Sequence, residues 1–465
     1  MAPAPVTART SREVAVEVLH RVEADRAFSG ALLRRTLDRA GLSTPDQSLA
    51  AELTLGTLRH RAEIDWALAR ATHTPLDELP SRIRAILRTG VYQLMFLDRI
   101  PPAAACSEAV ELAKKFGHVG TARLVNAVLR RIAREAVTIP EDGSTAEGIA
   151  LRHSHPEWLV HRWVARFGAS AARALCRANN ATPPSAVRLN TLRGAPESIA
   201  AALAGLGVRT APSALLPEGA RIVDASPHAR HLAYTGGWVS WQDEGAMLVG
   251  RLLAPRPGET VLDACAGSGG KAMHLAALME NRGRVLACDI VQAKLDAIGR
   301  HAGRLGVTIV EPHLLDGSRL REVAPSGVDR VLVDAPCSGL GVIRRRPEIK
   351  WRIQPAQLPV FAARQLAILA SAAEVVRPGG VLVFAVCSIE PEEGPAVVSA
   401  FLDAHPEFHP LPIAGWPPGN GGEPGPPPLP GPSPASNGDE AGTAFLVPHL
   451  HDTDAFFVAL LRRAQ

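Results

Sequence analysis

The sequence predicts a multidomain protein in three parts: an all-α N-terminal bundle over 1–140, a small α+β segment over 147–235, and an α/β domain over 236–465 built on a doubly wound, parallel sheet. Three observations predict this. Apolar residues recur at helical spacing, without strand-like alternation, as far as about residue 136. Helical and short strand-like pieces then mix. From about residue 236, short β-rich runs alternate with helical ones, the pattern of strands joined by crossover helices. A length of 465 residues, at roughly 150 per domain, leaves room for about three cores.

In the bundle, Val14, Val16, Leu19 and Val22 lie at helical spacing, as do Leu53, Leu55 and Leu58 and then Ile83, Ile86, Leu87 and Leu94. Breaks fall at 41–45, 72–80 and 100–102, where Gly or Pro interrupts the pattern. A loop of Pro, Asp, Gly and Ser over about 138–146 ends the bundle. The α+β segment reads as a helix over Glu157–Phe167 with strands at Ser185–Leu189 and Arg221–Val223. In the last part strands are expected at Thr260–Ala264, Arg284–Asp289, Val307–Glu311, Asp329–Asp334, Gly380–Ser388 and Ala455–Leu461, with helices near 270–280, 291–304 and 357–376. A ligand then belongs at the carboxyl ends of the strands. Residues 417–434 hold nine Pro and five Gly and read as an extended surface loop inserted before the last strand.

Apolar residues at 46% and charged residues at 21% describe a globular chain rather than a disordered or fibrous one. No apolar run approaches the ~18 residues of a membrane span, and the opening MAPAPVTARTSREV lacks a signal peptide's apolar core. The six cysteines form no CxxC and no His/Cys cluster, so neither a disulfide framework nor a metal site is expected, and a reducing cytoplasm fits. Net charge is only +4, but the cations cluster. Residues 151–230 hold ten Arg against four acids, and the segment from Arg344 to Arg352 sets five cations around one acid and Trp351. Such patches are expected to meet a polyanion such as RNA; an ordinary solvated surface is the competing reading.

The first strand of the α/β domain runs into Asp263-Ala264-Cys265-Ala266-Gly267-Ser268-Gly269-Gly270-Lys271 and then a helix. Glycines at such a turn let backbone approach a ligand, and the helix N-terminus offers unpaired N–H groups. The turn is not a GxGxxG, which counts against a dinucleotide. The second strand ends in Asp289, where a carboxylate can accept both ribose hydroxyls. Asp316 follows the third strand and Asp334 ends the fourth. Acids at four successive strand ends favour a nucleoside carrying a positive charge over a pyrophosphate, and S-adenosyl-L-methionine has such a ribose, adenine and sulfonium. Taken singly, each Asp also reads as a loop or helix cap.

Two cysteines stand just past adjacent strand ends: Cys337 in Asp334-Ala335-Pro336-Cys337-Ser338-Gly339, and Cys387 in Val386-Cys387-Ser388-Ile389-Glu390-Pro391-Glu392-Glu393. A lone cysteine is more often a small buried hydrophobe; two at the ligand edge of one sheet suggest chemistry. Carbon 5 of a pyrimidine is a poor nucleophile. Thiolate addition at carbon 6 makes the ring enamine-like, so that carbon 5 can attack a sulfonium methyl; a base must then remove the carbon 5 proton before the thiol leaves. Asp334 is suited to hydrogen-bond, or to donate a proton to, the N3 edge of a cytosine.

Together DACAGSGGK, Asp289, Asp316, DAPCSG and VCSIEPEE resemble the RNA cytosine-5 methyltransferases, and among them the bacterial Sun (Fmu) branch, which modifies 16S ribosomal RNA. The N-terminal part, with Gly56-Thr57-Leu58-Arg59, residues 87–94 and residues 125–131, is similar to the NusB-type RNA-binding domain of that branch. Ser154-His155-Pro156-Glu157-Trp158, Val187-Arg188-Leu189-Asn190-Thr191 and Trp241-Gln242-Asp243 resemble its α+β segment. The resemblance implies a Rossmann-like methyltransferase sheet. It implies that Cys265, Ala266, Gly267, Ser268, Gly269, Gly270 and Lys271 line the cofactor, that Asp289 holds its ribose, that Asp316 approaches its adenine, and that Asp334 lies between cofactor and base. It assigns the nucleophile to Cys387 and product release to Cys337; chemistry alone does not choose between the two thiols. The substrate it implies is 16S rRNA, free or in a partly assembled small subunit. The chain departs from the family pattern at Ser268 (often Pro), Ala272 and Val386 (often Thr) and Gly394 (often Asn), none of them a proposed catalytic group. Two rivals remain: an RNA-binding or assembly factor with an inert core, and a nicotinamide-dependent oxidoreductase on the same kind of sheet.

Overall fold

The computed structural model describes residues 9–135, 137–413 and 442–465; the Pro/Gly-rich stretch 417–434 lies outside the described residues. The chain forms two compact units that do not follow the expected boundaries: one of residues 1–182 with 343–353, the other of 183–342 with 354–465. The helix Glu157–Asn180, read from the sequence as part of the α+β segment, belongs to the helical unit.

In the first unit, helices Ser11–Ala24, Ser29–Ala40, Thr44–Arg59, Arg61–Ala71, Ser81–Phe96, Pro102–Phe116 and Val119–Glu135 bury one apolar stripe each. Val14, Leu53, Ile64, Ile83, Leu87, Val125 and Leu129 meet in a common core. Local chemistry sets the helix starts: the Thr10 and Ser43 side chains accept the N–H groups of Glu13 and Asp46. Gly56 lets Thr44–Arg59 press against Ser81–Phe96, since a Cβ there would lie 2.0 Å from the Tyr92 ring.

The basic segment 344–352, expected to face RNA, is instead largely interior to this unit. Arg344, Glu348, Ile349 and Lys350 are buried. The Lys350 ammonium donates to the Arg59 carbonyl and to Asn180 Oδ1, both at 2.9 Å. The Trp351 indole N–H donates to the Leu58 carbonyl at 2.7 Å, and Arg352 donates to that of Ala27 at 2.6 Å. Glu348 accepts the N–H and hydroxyl of Ser29 at 3.0 and 2.7 Å. Composition could not reveal this, because cations satisfied by backbone carbonyls read the same in sequence as cations bound for phosphate.

The second unit begins with strands β1 (Ala186–Leu189), β2 (Val208–Pro212), β3 (Gly219–Ala225) and β4 (Val239–Trp241), with helices Pro196–Gly205 and Pro227–Thr235 between them. This βαββαβ run forms an antiparallel sheet of order β2-β3-β1-β4, packed through Val187, Leu189, Leu203, Val208 and Val239.

The larger sheet is made of β5 (Thr260–Asp263), β6 (Arg284–Asp289), β7 (Val310–Leu314), β8 (Val328–Asp334), β9 (Val376–Val386), β10 (Phe408–Pro410), β11 (Thr443–Leu446) and β12 (Phe456–Arg463). Its order is β10-β12-β9-β8-β5-β6-β7, with β11 on β12. Pairing from β9 to β7 is parallel, while β12 is antiparallel to β9, β10 and β11. The sheet is therefore mixed: the parallel, doubly wound part expected from the sequence spans β9 to β7, and β12 with β10 and β11 adds an antiparallel edge. The third strand begins three residues later than expected, since Val285 pairs with Val310 while Val307 closes the preceding helix on the Ala302 carbonyl.

Helices cover both faces, which is why residues 381–386 of β9 read as an unbroken apolar run. One face packs Ile368, Leu369, Ala372, Val397 and Phe401 on Leu262, Val331, Phe384 and Val386. The other packs Met247, Leu248, Leu275 and Ile298 on Val261, Val285, Leu332 and Val383. Among the described residues, Pro355–Val375 alone is long and apolar enough to cross a membrane; it carries Arg364, Gln365 and Glu374, and its apolar side is part of the first of these cores.

Glu348→Ala would leave two buried Ser29 donors without partners, at about 1–3 kcal/mol for each group. We expect a lowered unfolding midpoint for the helical unit in denaturant titrations, with Glu348→Gln losing less.

Candidate active site

The large sheet reverses its winding between β5 and β8. Connections run from β5 to β7 on one side and from β8 to β9 on the other, so the loops part and leave a crevice at the carboxyl ends. A pocket of about 210 Å³ occupies it, lined among others by Cys265, Gly267, Asp289, Ile290, Leu315 and Asp334.

The β5 turn is shaped by glycine. Gly267 and Gly269 take φ of +58° and +89°, and a Cβ on Gly269 would also sit 2.9 Å from the Ile298 side chain. This aims the Gly267 N–H at Asp289, whose Oδ2 accepts it at 3.1 Å. The same oxygen accepts from Lys294 at 3.1 Å, and Oδ1 accepts the Val291 N–H at 2.9 Å. A carboxylate has about four lone-pair sites, so one remains for a ligand hydroxyl, and Lys294, 49% exposed, is free to swing aside for a second. Next to Asp289, the half-exposed Ile290 with Leu315 and Ile368 makes an apolar wall.

Behind the turn, Asp263 is wholly buried. Burial, reinforced by the Asp334 charge and opposed by Lys271 and the Cys265 N–H, pushes its carboxyl up to about 7. Lys271 donates to Asp334 Oδ2 at 2.6 Å. Burial works against the Lys271 charge, but the Asp334 and Asp263 carboxylates outweigh it and hold its pKa above the ordinary value.

β8 and β9 pair with Asp334 opposite Ala385, so the loops carrying Cys337 and Cys387 leave the sheet side by side. Their Sγ atoms lie 3.3 Å apart, and all six cysteines are free thiols. Contact with the Cys387 sulfur, then burial, then the charges of Cys387 and Glu393 hold the Cys337 thiol well above its usual value. Gly341 passes beneath, its N–H donating to the Cys387 carbonyl at 2.8 Å; a Cβ there would lie 2.3 Å from the Ala455 oxygen.

The structure thus brings Cys265, Gly267, Asp289 and Asp334 to one pocket, with Lys271 on Asp334 and the two thiols in contact. Ala266 is buried behind the turn, and Gly270 turns its carbonyl to Arg188 at 2.9 Å. Ser268 is exposed, its carbonyl bonded to the His301 ring at 2.9 Å. Asp316 caps the short helix Gly317–Glu322, accepting the Ser318 N–H and hydroxyl at 2.9 Å, while its neighbours Leu315 and Gly317 line the pocket. Sequence reasoning missed Ile290, Lys294, Arg364, Gln365 and Glu393. Lys294 sits one helical turn past Asp289 and carried a usable signal; the others come from residues that read as core or surface. Two departures from the family pattern also find a reason: Val386 is buried in the sheet core, and a Cβ on Gly394 would lie 2.8 Å from the Phe457 ring.

Residues 250–462 match the model described as 16S rRNA methyltransferase RsmB/F, residues 9–134 match the NusB family, and residues 155–228 match the ferredoxin-like domain of RsmF/B-like methyltransferases. The Bacillus subtilis protein named "Probable ribosomal RNA small subunit methyltransferase B" is 37% identical over 401 residues, covering 86% of this chain and 89% of its own. The ribosomal RNA small subunit methyltransferase B of Sodalis glossinidius is 36% identical, covering 79% and 84%. Among solved structures, that of PH0851 superposes with a TM-score of 0.80 at 25% identity over 98% of this chain and 100% of its own. A methyltransferase homolog protein from Pyrococcus horikoshii gives 0.58 at 26% identity over 68% and 98%.

An unfolded Asp ionises near its ordinary value of 3.8, whereas folded Asp263 keeps its proton to about 7. Its contribution to stability is therefore whole below pH 3.8 and is lost as pH rises through about 7, because over that range the folded state still binds a proton that the unfolded state has released. Asp263→Asn cannot ionise. The stability of this variant relative to the parent should rise by a few kcal/mol from pH 4 to pH 7 in denaturant titrations; a flat difference would mean that Asp263 is ionised throughout.

Proposed function

The chain belongs to the RsmB/F family of 16S rRNA methyltransferases, and from that premise we propose that it transfers the methyl group of S-adenosyl-L-methionine to carbon 5 of a cytosine in 16S rRNA, through a transient thioether between Cys387 and carbon 6. The observation that carries this reading is the pair of sulfurs in contact beside a pocket edged by Asp334.

The pocket's chemistry suits the donor. Asp289 offers a carboxylate to the ribose, the Ile290, Leu315 and Ile368 wall offers an apolar slot to adenine, and Asp334 supplies a carboxylate for a cationic centre. Cys265 and Gly267 belong to the wall, with Ala266, Ser268, Gly269 and Gly270 shaping the turn and Asp316 bracing the loop that carries Leu315 and Gly317. When bound, S-adenosyl-L-methionine supplies an electrophilic methyl group.

This chain's residues do the rest. The Cys387 thiolate adds to carbon 6 of cytosine, and the ring electrons pass to carbon 5, which becomes nucleophilic. Lys271 and Asp334, bonded to one another, present a donor and an acceptor to the polar edge of the base as charge shifts onto N3. After methylation a solvent water takes the carbon 5 proton, the carbon 5–hydrogen electrons restore the carbon 5–carbon 6 double bond, and the carbon 6–sulfur bond breaks to release Cys387 as thiolate. Cys337 assists that departure, its thiol at 3.3 Å hydrogen-bonding the leaving sulfur. The reacting base must leave its stack to reach these groups, which favours free 16S rRNA or a partly assembled small subunit as substrate. The RNA-binding parts are the NusB-like region 1–140 and the α+β region 147–235, with catalysis in 236–465 and the cytoplasm as its place of work.

Bisulfite mapping of small-subunit rRNA from a deletion strain and its complemented parent tests the reading: one cytosine should lose protection in the deletion and regain it on complementation. Cys387→Ala should abolish transfer and leave no covalent RNA adduct, whereas Cys337→Ala should accumulate an adduct that survives denaturing gels; swapped outcomes would reverse the two roles. Asp289→Ala should weaken S-adenosyl-L-methionine binding by roughly ten- to a hundredfold in calorimetric titration, as expected for losing a charged hydrogen-bond acceptor.

A further inference from the structure

Both thiols are followed by serine, and both serines point at one buried acid. Glu393 is 0% exposed in the short helix Pro391–Glu393 after β9. Its Oε1 accepts the Ser338 N–H at 2.7 Å, and its Oε2 accepts the hydroxyls of Ser338 at 2.5 Å and Ser388 at 2.7 Å. The Gln365 amide, from the helix Leu358–Val375, donates to Oε1 at 3.3 Å and to the Pro336 carbonyl at 3.1 Å. Every one of these partners donates a hydrogen. A shell made only of donors matches the acceptor-only chemistry of a carboxylate. Among the described residues it makes no ion pair, so its charge is unneutralised and acts over the low-dielectric space between the two loops.

We propose that Glu393 is the positioning residue that ties the two cysteine loops together and, by its charge, makes Cys337 the proton-bearing thiol and Cys387 the nucleophile. It touches neither base nor cofactor. One anion bonded to the residue after each cysteine fixes both sulfurs at once, which a bond within either loop would not do. The charge bears directly on Cys337, whose thiolate it disfavours together with burial and the Cys387 contact. Lys271, paired with Asp334, lies within electrostatic reach of Cys387. The charges that reach the sulfurs are thus Glu393 at Cys337 and the Lys271–Asp334 pair at Cys387. The chain's asymmetry between two chemically identical thiols is built from that arrangement. This inference rests on the proposed thiolate mechanism for its consequence in catalysis, but the asymmetry itself is measurable without any RNA.

The test uses the full chain. Purified parent and Glu393→Gln, which keeps the volume and loses the charge, are treated with a limiting dose of iodoacetamide at pH 7.5, and alkylation at each cysteine is followed by peptide mass spectrometry. S-adenosyl-L-methionine binding and the thermal midpoint serve as fold controls. We expect Cys387 to react at least tenfold faster than Cys337 in the parent, and the ratio to fall at least tenfold in Glu393→Gln. Methyl transfer should lose kcat by ten- to a hundredfold with the KM for RNA unchanged, and Glu393→Asp, which retains the charge, should keep Cys337 slow. An unchanged alkylation ratio in a folded, donor-binding Glu393→Gln overturns the proposal. If that variant does not fold, Ser388→Ala removes one link alone: a ratio shifted at least threefold supports the proposal, and an unshifted one overturns it. A shifted ratio in a protein that methylates no cytosine would sink the proposed function and leave this inference standing.

Discussion

The parallel pairing of β8 with β9, in the register that sets Asp334 opposite Ala385, is the constraint on which the rest of the site depends. Cys337 lies three residues beyond the first strand end and Cys387 one beyond the second, and that register brings the two loops close enough for their sulfurs to lie 3.3 Å apart. In a sheet, a slip of one residue sends each side chain to the opposite face. The register is well guarded, because both faces of β8 and β9 are buried and each slip would turn apolar residues out of one core into the other. Beyond the strands, the Ala335 N–H still donates to the Ala385 carbonyl and the Gly341 N–H to that of Cys387, so the ladder is carried into the loops that hold the thiols.

Electrostatics then divides the labour among acids that look equivalent in sequence. Asp289 ends its strand among three donors and remains a receptor for hydroxyl groups. Asp334 ends its strand in an ion pair with Lys271. Asp263, one strand across, has no such partner and shares its surroundings with the Asp334 charge, so its proton is retained up to about 7. Two neighbouring carboxylates with one cation between them cannot both be ionised cheaply in a low-dielectric interior. Glu393 solves the opposite problem, since its charge is spread over hydroxyl, amide and backbone donors rather than neutralised.

The helical unit shows the limit of composition as a guide. Five cations between Arg344 and Arg352 promised a polyanion surface, yet Lys350, Trp351 and Arg352 spend their donors on backbone carbonyls of Arg59, Leu58 and Ala27. Charge density along a chain does not say whether the partner is a phosphate or a neighbouring turn. Likewise Pro355–Val375 has the apolar content of a membrane span, but its buried side is the methyltransferase core.

What the sequence determined by itself follows from short-range physics. Strands buried on both faces read as β-rich runs, so β5, β6, β8 and β9 were legible to within a few residues. The turn after β5 was legible because only glycine takes φ of +58° and +89° without strain. The acids and thiols at strand ends were legible because those residue types stand out against the apolar strands that they follow. What only the tertiary structure decided depends on partners far apart in the chain. The antiparallel placement of β12 beside β9, the interior fate of the segment 344–352 and the apolar wall of Ile290, Leu315 and Ile368 are of this kind. So is the convergence of Ser338, Ser388 and Gln365 on Glu393, a glutamate in a polar, loop-like run whose burial no local pattern announces. Hydrogen bonds and charges between distant segments leave no period in a sequence, and they come into being only when the sheet has set its register.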